Sequence, residues 1–282
     1  MNIDNQKRTI INYYEKSKHG YDLVLFGSKH FGYYPDKKIN ISPMKARDLM
    51  QDMVIKSLKA DKNQLVLDAG CGQGVVSRYI AKKTGCRVVG LTIVPYELQR
   101  AKASAIKSNA HNLRYYLMDY SKTKFKPNTF DAIYAVESFC HAANTAKTLK
   151  EFLQVLKPNG RLVIFDYTIA QDHKFSARER KSLNIVIEVA GMYSTKNMRI
   201  GEFTKTLEHS GFRAVKEQDI TAHVFPSFRY LRYLSMPAYP LVKLFRMQKR
   251  FIDITIPNKL YIPIKKGLIR YCIFTAVKPY KR

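Results

Sequence analysis

Three glycines at alternate positions, Gly70, Gly72 and Gly74, follow the acid Asp68 in Leu65-Val-Leu-Asp-Ala-Gly-Cys-Gly-Gln-Gly-Val75. Glycine adopts positive φ freely and lets a ligand approach the main chain closely. Residues 65–67 form a short apolar run, as in a strand covered on both faces. Behind the glycines, Val76, Tyr79 and Ile80 recur at helical spacing. Strand, glycine turn and helix start together offer a ligand unpaired helix N–H groups beside a carboxylate. The spacing is neither the G-x-G-x-x-G dinucleotide pattern nor the G-x-x-x-x-G-K-[ST] phosphate loop. Three further polar residues, Thr92, Asp119 and Glu137, each follow an apolar run, and His141 stands four residues beyond Glu137. Thr92 occupies the place where an acid would bind ribose hydroxyls in many dinucleotide folds. Glu97 and Gln99, in the helical stretch behind it, either share that task or form a solvated helix face.

These residues need a scaffold, and the surrounding pattern supplies one. Further strands are expected at 86–91, 113–117, 130–136, 161–167, 212–220 and 271–278. Helices are expected between them at 75–83, 96–108, 145–156, 176–190 and 201–210. This alternation predicts an α/β fold with a Rossmann-like, doubly wound, mostly parallel seven-stranded sheet. In such sheets ligands bind at the carboxyl ends of strands, near the topological switch point. Asp68, Thr92, Asp119 and Glu137 all fall on that edge.

Residues 1–60 should form an N-terminal cap on the substrate side, with helices at 7–16 and 42–58. Ser42 serves as the N-cap of the second, with Pro43 at its first position. Between them, residues 21–35 are dense in aromatics and glycine, a poor regular helix or strand. Tyr21, Phe26, Phe31, Tyr33 and Tyr34 either wall an apolar ligand or pack the cap, and His30 lies among them. The core is expected over 61–220. Residues 221–270 are too long for a hairpin connection and should form an inserted lid before the last strand and basic tail at 271–282.

The chain has 282 residues, 46% of them hydrophobic, and a formal net charge of +27. A sizeable core is available, and disorder is excluded as the general state. Residues 222–282 carry thirteen Lys and Arg against one acid, Asp253. Basic residues there interleave with aromatic and aliphatic ones. That suits contact with an anionic membrane surface, stacking and phosphate contacts with RNA, or helices that pack an apolar stripe on the core. No separate nucleic-acid module is visible, which weighs against nucleic acid. The four cysteines are dispersed and suggest neither a disulfide framework nor a metal site. With no signal peptide and no membrane-spanning run, the expected setting is cytoplasmic, with a peripheral membrane position open.

The D-x-G-x-G-x-G turn resembles the cofactor loop of class I S-adenosylmethionine-dependent methyltransferases. The resemblance implies that Asp68, Gly70, Gly72 and Gly74 hold the methionine end of S-adenosylmethionine. Thr92, Glu97 and Gln99 would serve the ribose, Asp119 the adenine amino group, and Glu137 would border the cofactor. Phe130-Asp-Ala-Ile-Tyr-Ala-Val-Glu-Ser-Phe-Cys-His-Ala142 is similar to the F-D-x-x-Y-A-x-E-x-x-x-H-A segment of the sterol C-methyltransferases that act on the sterol's side chain. The aromatic stretch at 21–34 resembles their Y-G-W-G-x-S-x-H-F segment. Tocopherol-type and phosphoethanolamine methyltransferases and cyclopropane fatty-acid synthases share parts of the pattern.

This sequence also departs from that pattern. Phe26 stands where tryptophan is usual, Glu97 replaces a glutamine, residues 221–270 match poorly, and Tyr167-Thr-Ile169 lacks the histidine of the cyclopropane synthases. The resemblance implies methyl transfer to a hydrophobic small molecule, such as a lipid, sterol or isoprenoid, with C-methylation favoured. N- or O-methylation and a cyclopropane-synthase-like reaction are the alternatives. Glu137, His141 and His30 would be the bases, and the five aromatics would shield positive charge from water. An RNA methyltransferase is a weaker reading, since Glu137-Ser-Phe-Cys140 replaces the N-P-P-Y-type segment of base-methylating enzymes. A binding protein that keeps the fold without turnover is a third.

Overall fold

The computed structural model describes residues 3–25 and 29–280. In sequence order the elements are α1 (Ile3–Leu25), α2 (Pro43–Leu58), β1 (Leu65–Ala69), α3 (Val75–Thr84), β2 (Arg87–Thr92), α4 (Pro95–Lys107), β3 (Leu113–Leu117) and β4 (Phe130–Val136). Then follow α5 (Thr145–Val155), β5 (Leu156–Ile169), α6 (Ala177–Ala190), α7 (Phe203–His209), β6 (Arg213–Asp219), α8 (Thr221–Ser235), α9 (Tyr239–Leu244), α10 (Ile252–Lys265) and β7 (Ile269–Val277).

One seven-stranded sheet runs in the order β3-β2-β1-β4-β5-β7-β6. The pairings from β3 through to β5 are parallel, and β7 is antiparallel to both β5 and β6. Strand order reverses between β1 and β4, which makes the carboxyl end of that pair the switch point where ligands settle. The two faces of the sheet are covered by different helices. Leu67 and Ile133 pack with Phe152 of α5 and Leu207 of α7. Their strand neighbours Val66 and Ala132 face the opposite way, against Val54 of α2 and Ile80 of α3. Period-two alternation puts successive residues on opposite faces, and helices on both faces leave the central strands buried twice over.

A third apolar cluster lies beyond the carboxyl edge. It joins Ile169 of β5 and Ile269 of β7 to Leu183 and Ile187 of α6, Phe228 of α8 and Leu260 of α10. One expectation needs correction. The first helix extends to Leu25, so residues 21–25 are helical despite their aromatic and glycine-rich surroundings. The 221–270 insertion is three helices, with Pro226 inside α8 and Pro257 and Pro263 inside α10. Proline inside a helix removes an intrahelical hydrogen bond, which is why the sequence pattern there is hard to read as helical. At α2 the expectation holds: Ser42 Oγ accepts from the Lys45 N–H, and Pro43 occupies the first turn.

Candidate active site at the carboxyl edge of the sheet

The glycine turn is fixed from both sides. Gly70 N–H and Cys71 N–H both donate to the Leu91 carbonyl of β2, at 3.0 and 2.8 Å. All three glycines have positive φ, +99° at Gly70, +52° at Gly72 and +71° at Gly74. A Cβ on Gly70 would sit 2.4 Å from the Ser138 Cβ, and one on Gly74 would meet the Tyr115 hydroxyl at 2.5 Å. Gly72 differs, for its nearest neighbour would be Glu97 Oε1 at 3.8 Å. Two glycines are therefore demanded by packing, and the middle one keeps a cleft open. Gly74 caps α3 without a side-chain hydrogen bond, and Val75 and Val76 of the first turn line the cleft.

Asp68 is buried, and both Ser77 Oγ (2.5 Å) and the Tyr134 hydroxyl (2.6 Å) donate to its Oδ2. Burial pushes its carboxyl up to about 6 against those two bonds. At the end of β2, Thr92 donates to Glu97 Oε2 at 2.9 Å, and the other Glu97 oxygen takes Lys29 Nζ at 2.5 Å. Lys29 also lies over the Tyr14 ring, 4.2 Å from its centroid. Asp119 pairs with Lys7 of α1 at 2.7 Å. Burial opposes its ionisation, but Lys7 and two bonds to Ser121 outweigh that and hold its carboxyl below the ordinary value. Asp68, Gly70, Gly72, Thr92, Glu97, Asp119, Glu137, His30 and His141 all line this cleft, of about 110 Å³.

Gln99 does not line it. Each step along a helix turns the side-chain direction by about 100°, so Gln99, two positions beyond the inward Glu97, points away and is exposed.

Beside the cleft lies a larger, mainly apolar cavity of about 340 Å³. Its walls come from Tyr13 and Tyr14 of α1, from α6, α8 and α10, and from Phe31, Tyr167 and Ile269. Five residues border both spaces: Tyr14, Lys29, His30, Glu137 and His141.

Glu137 is at the centre of this partition. It follows directly on β4 with φ +50°, a left-handed conformation that costs a non-glycine residue about 1–2 kcal/mol. Its Oε1 accepts from the Phe31 N–H (2.7 Å) and the Tyr271 hydroxyl (3.0 Å), and its Oε2 from the Tyr167 hydroxyl (2.8 Å). Burial outweighs these three donors and pushes its carboxyl up to about 7.

His141 is differently placed. Its Nδ1 lies 3.2 Å from the Gly191 carbonyl and its Nε2 2.8 Å from the Tyr14 hydroxyl. A carbonyl only accepts, so Nδ1 carries the proton and Nε2 receives the tyrosine's. Burial brings its pKa down to about 4. Both nitrogens are engaged, which leaves His141 to orient Tyr14. His30 is likewise neutral, with its pKa brought down to about 4 by burial and its Nδ1 2.9 Å from the Phe31 carbonyl. Its Nε2 is buried with no partner among the described residues.

Of the five aromatics expected as walls, Phe31 alone is seen to line the cavity. Tyr33 stacks on His223 outside it, 4.6 Å between ring centroids, and Tyr34 is wholly buried in the core. Their backbones explain this: Tyr33 N–H is tied to the Ala46 carbonyl of α2, and Tyr34 N–H to the His223 carbonyl of α8. Phe26 and the side chain of Tyr21 lie outside the described residues. Sequence reasoning missed Tyr14, Tyr167, Phe228 and Tyr271. A tyrosine at the carboxyl end of a strand, as at Tyr167, was the one available signal.

The donor set fits S-adenosylmethionine: an open glycine at the helix start, carboxylates at or just past the ends of three strands and a fourth acid, Glu97, facing Gly72. Residues 67–164 match the family profile of a methyltransferase domain. Residues 67–164 are therefore a methyltransferase domain, and the protein is an enzyme whose cofactor is S-adenosylmethionine.

Among its relatives is an S-adenosyl-L-methionine-dependent Diels-Alderase of Talaromyces variabilis, 29% identical over 97% of this protein and 96% of that one. The sterol 24-C-methyltransferase of Saccharomyces cerevisiae is 32% identical over 56% of this protein, and the match spans 42% of that enzyme. The fold is shared with a cyclopropane synthase from Mycobacterium tuberculosis, with a TM-score of 0.79, 16% identity, and 96% of this protein and 98% of the synthase covered.

Proposed function

We propose that this enzyme transfers a methyl group to a carbon atom of a hydrophobic small molecule, of lipid, sterol or isoprenoid kind, held in the apolar cavity. The observation that carries this reading is the meeting of the polar cleft and the apolar cavity at Glu137. Bound S-adenosylmethionine supplies a methyl group already activated on a sulfonium centre. In the cleft, Asp68, Thr92, Glu97, Asp119 and the glycine turn are the residues that would hold it.

The remaining tasks fall to the cavity. Holding two reactants in a near-attack arrangement is worth roughly 7–11 kcal/mol in favourable cases. Tyr14, Phe31 and Tyr167 exclude water, and an aromatic face attracts a facing cation by roughly 0.5–2 kcal/mol. A carbon acceptor that gains a methyl group must then release a proton. Glu137, with its carboxyl near 7, is matched to receive it at neutral pH. The Tyr167 and Tyr271 hydroxyls aim the carboxylate and stabilise its ionised form. The sterol 24-C-methyltransferase relative supports a carbon acceptor.

The reading includes a cytoplasmic enzyme in peripheral contact with an anionic membrane through residues 222–270, where its acceptor would be dissolved. No helix among the described residues is long and apolar enough to cross a membrane.

A second reading is favoured by the Talaromyces variabilis relative, a Diels-Alderase aligned over almost the whole of both proteins. The same cavity would then fold a diene against an alkene within one substrate, and no methyl group would leave the cofactor. One experiment separates the two: purified protein is incubated with methyl-labelled S-adenosylmethionine and a total lipid extract, then partitioned and weighed by mass spectrometry. Label in an apolar product one CH₂ heavier supports methyl transfer. An unlabelled isomer of unchanged mass supports cyclisation. Neither product overturns both readings.

A further inference from the structure

The apolar cavity reaches the surface beside α8. Leu231, Leu234 and Ser235 of α8 line it together with Asp253 and Ile254 of α10, and Leu234 is 51% exposed. The face next to this mouth is unlike an ordinary water-facing surface. In α9, Val242 is the one buried side chain, whereas Leu241 is exposed and Leu244 is 73% exposed. Phe245, just past the helix, is 66% exposed, and Tyr233 and Met236, on either side in sequence of the mouth residues Leu234 and Ser235, are exposed as well. Contiguous exposed apolar patches of this kind mark interaction sites on soluble proteins.

Cations are interleaved with them. Lys243, Arg246, Lys249 and Arg250 are all exposed, and no acid occurs anywhere between Thr221 and Ile252. Aliphatic and aromatic groups flanked by Lys and Arg suit the boundary between headgroups and acyl chains of an anionic bilayer. The alternatives fit less well. A second copy seated on the same face would set Lys243 and Arg246 against their own equivalents, since a twofold contact brings each patch onto itself. Single-stranded RNA would use the cations and aromatic rings but has no use for Leu241 and Leu244.

We infer that α9 and the turns flanking it are a docking face for an anionic lipid bilayer, and that the acceptor passes from the bilayer into the cavity past Leu234. The docking stands on the exposed surface alone, and the passage rests on the hydrophobic-acceptor reading. Bilayer contact at the mouth would let an insoluble acceptor move between two apolar phases without crossing water.

The test is co-sedimentation of the purified protein with vesicles of phosphatidylcholine alone and of phosphatidylcholine with phosphatidylglycerol. Binding is expected to the second and not the first, and to weaken as salt rises. A Leu244→Glu, Phe245→Glu variant should lose it. A Lys243→Glu, Arg246→Glu variant should weaken it roughly tenfold or more. Both should keep wild-type affinity for S-adenosylhomocysteine by calorimetry, which shows that the sheet and its cleft are folded. Absence of sedimentation with anionic vesicles overturns the docking, as does sedimentation unaffected by the Leu244 and Phe245 changes. A salt-sensitive gel shift with RNA in place of vesicle binding also overturns it. Vesicle binding needs no turnover, so a failure of the docking is seen separately from a failure of the methyl-transfer reading.

Discussion

Around the polar cleft, positions are set by backbone: three positive-φ glycines, two of them pressed against Ser138 and Tyr115, and a loop pinned to the Leu91 carbonyl. Around the apolar cavity, most positions are set by side chains from α1, α6, α8 and α10, outside the sheet. The first construction tolerates almost no change of residue type but can hold one fixed ligand closely. The second tolerates hydrophobic exchange, because cores accept new side chains of suitable volume. A fold built this way can keep one cofactor while its acceptor varies, in line with relatives whose names differ in the reaction they perform.

The contrast breaks first at the turn. Gly70→Ala places a methyl 2.4 Å from the Ser138 Cβ at φ +99°. It should cost at least about 2 kcal/mol of stability and abolish S-adenosylhomocysteine binding by calorimetry. Gly72→Ala meets nothing closer than 3.8 Å and should cost only about 1 kcal/mol in thermal unfolding. If the two variants behave alike, the distinction between packed and open glycines is wrong.

Next comes the partition. Glu137→Gln should lower turnover by about 10²–10⁴-fold with cofactor affinity nearly unchanged. In the wild type, the rate should rise with pH through about 7 as the carboxyl ionises, and this limb should vanish in the variant. Stability carries the opposite sign. A carboxyl raised from 4.5 to about 7 retains its proton in the folded state longer than in the unfolded. It therefore costs stability as pH rises across that window. The stability advantage of Glu137→Gln over wild type should grow from pH 4.5 to 7 in denaturant titrations.

Lys29 and Glu97 sharpen the same boundary. Their side chains are 13% and 4% exposed. Lys29→Met leaves a buried carboxylate unpaired, at about 3 kcal/mol. The double variant with Glu97→Gln should recover most of that loss in chemical unfolding. The smallest effects test the cavity wall itself. Val186→Phe, which fills the lining from α6, should cut acceptor turnover about tenfold and spare cofactor binding. Tyr33→Leu, outside the cavity, should change turnover by no more than about twofold.

The same division decides how much is legible in the sequence. Everything governed by local backbone chemistry can be read: the strand–helix alternation, the glycine turn, the Ser42-Pro43 helix start, and acids following strands. Gln99 misleads because helix phase separates it from Glu97 by about 200°. Tyr33 and Tyr34 mislead because composition says which residues are aromatic and not which way a loop turns. That turn is set by hydrogen bonds to Ala46 and His223, from α2 and α8. Tyr167 and Tyr271 reach Glu137 only because β7 slots antiparallel beside β5, with Tyr167 and Tyr271 in register. Such a pairing joins residues far apart along the sequence, and no local periodicity announces it.

That last pairing bears on how the protein comes into being. Glu137 receives its hydrogen bonds from residues 31, 167 and 271. During synthesis, a polypeptide that has emerged as far as residue 220 can already pair its parallel strands and shape the glycine turn. It still lacks the Tyr271 hydroxyl and the α8 and α10 walls. Cofactor can therefore find a seat before the acceptor has one, and a carboxylate set near neutrality is not fully tuned until β7 threads between β5 and β6. Long-range antiparallel pairing of this kind is slow to form, so closing the sheet is also the step that arms the enzyme.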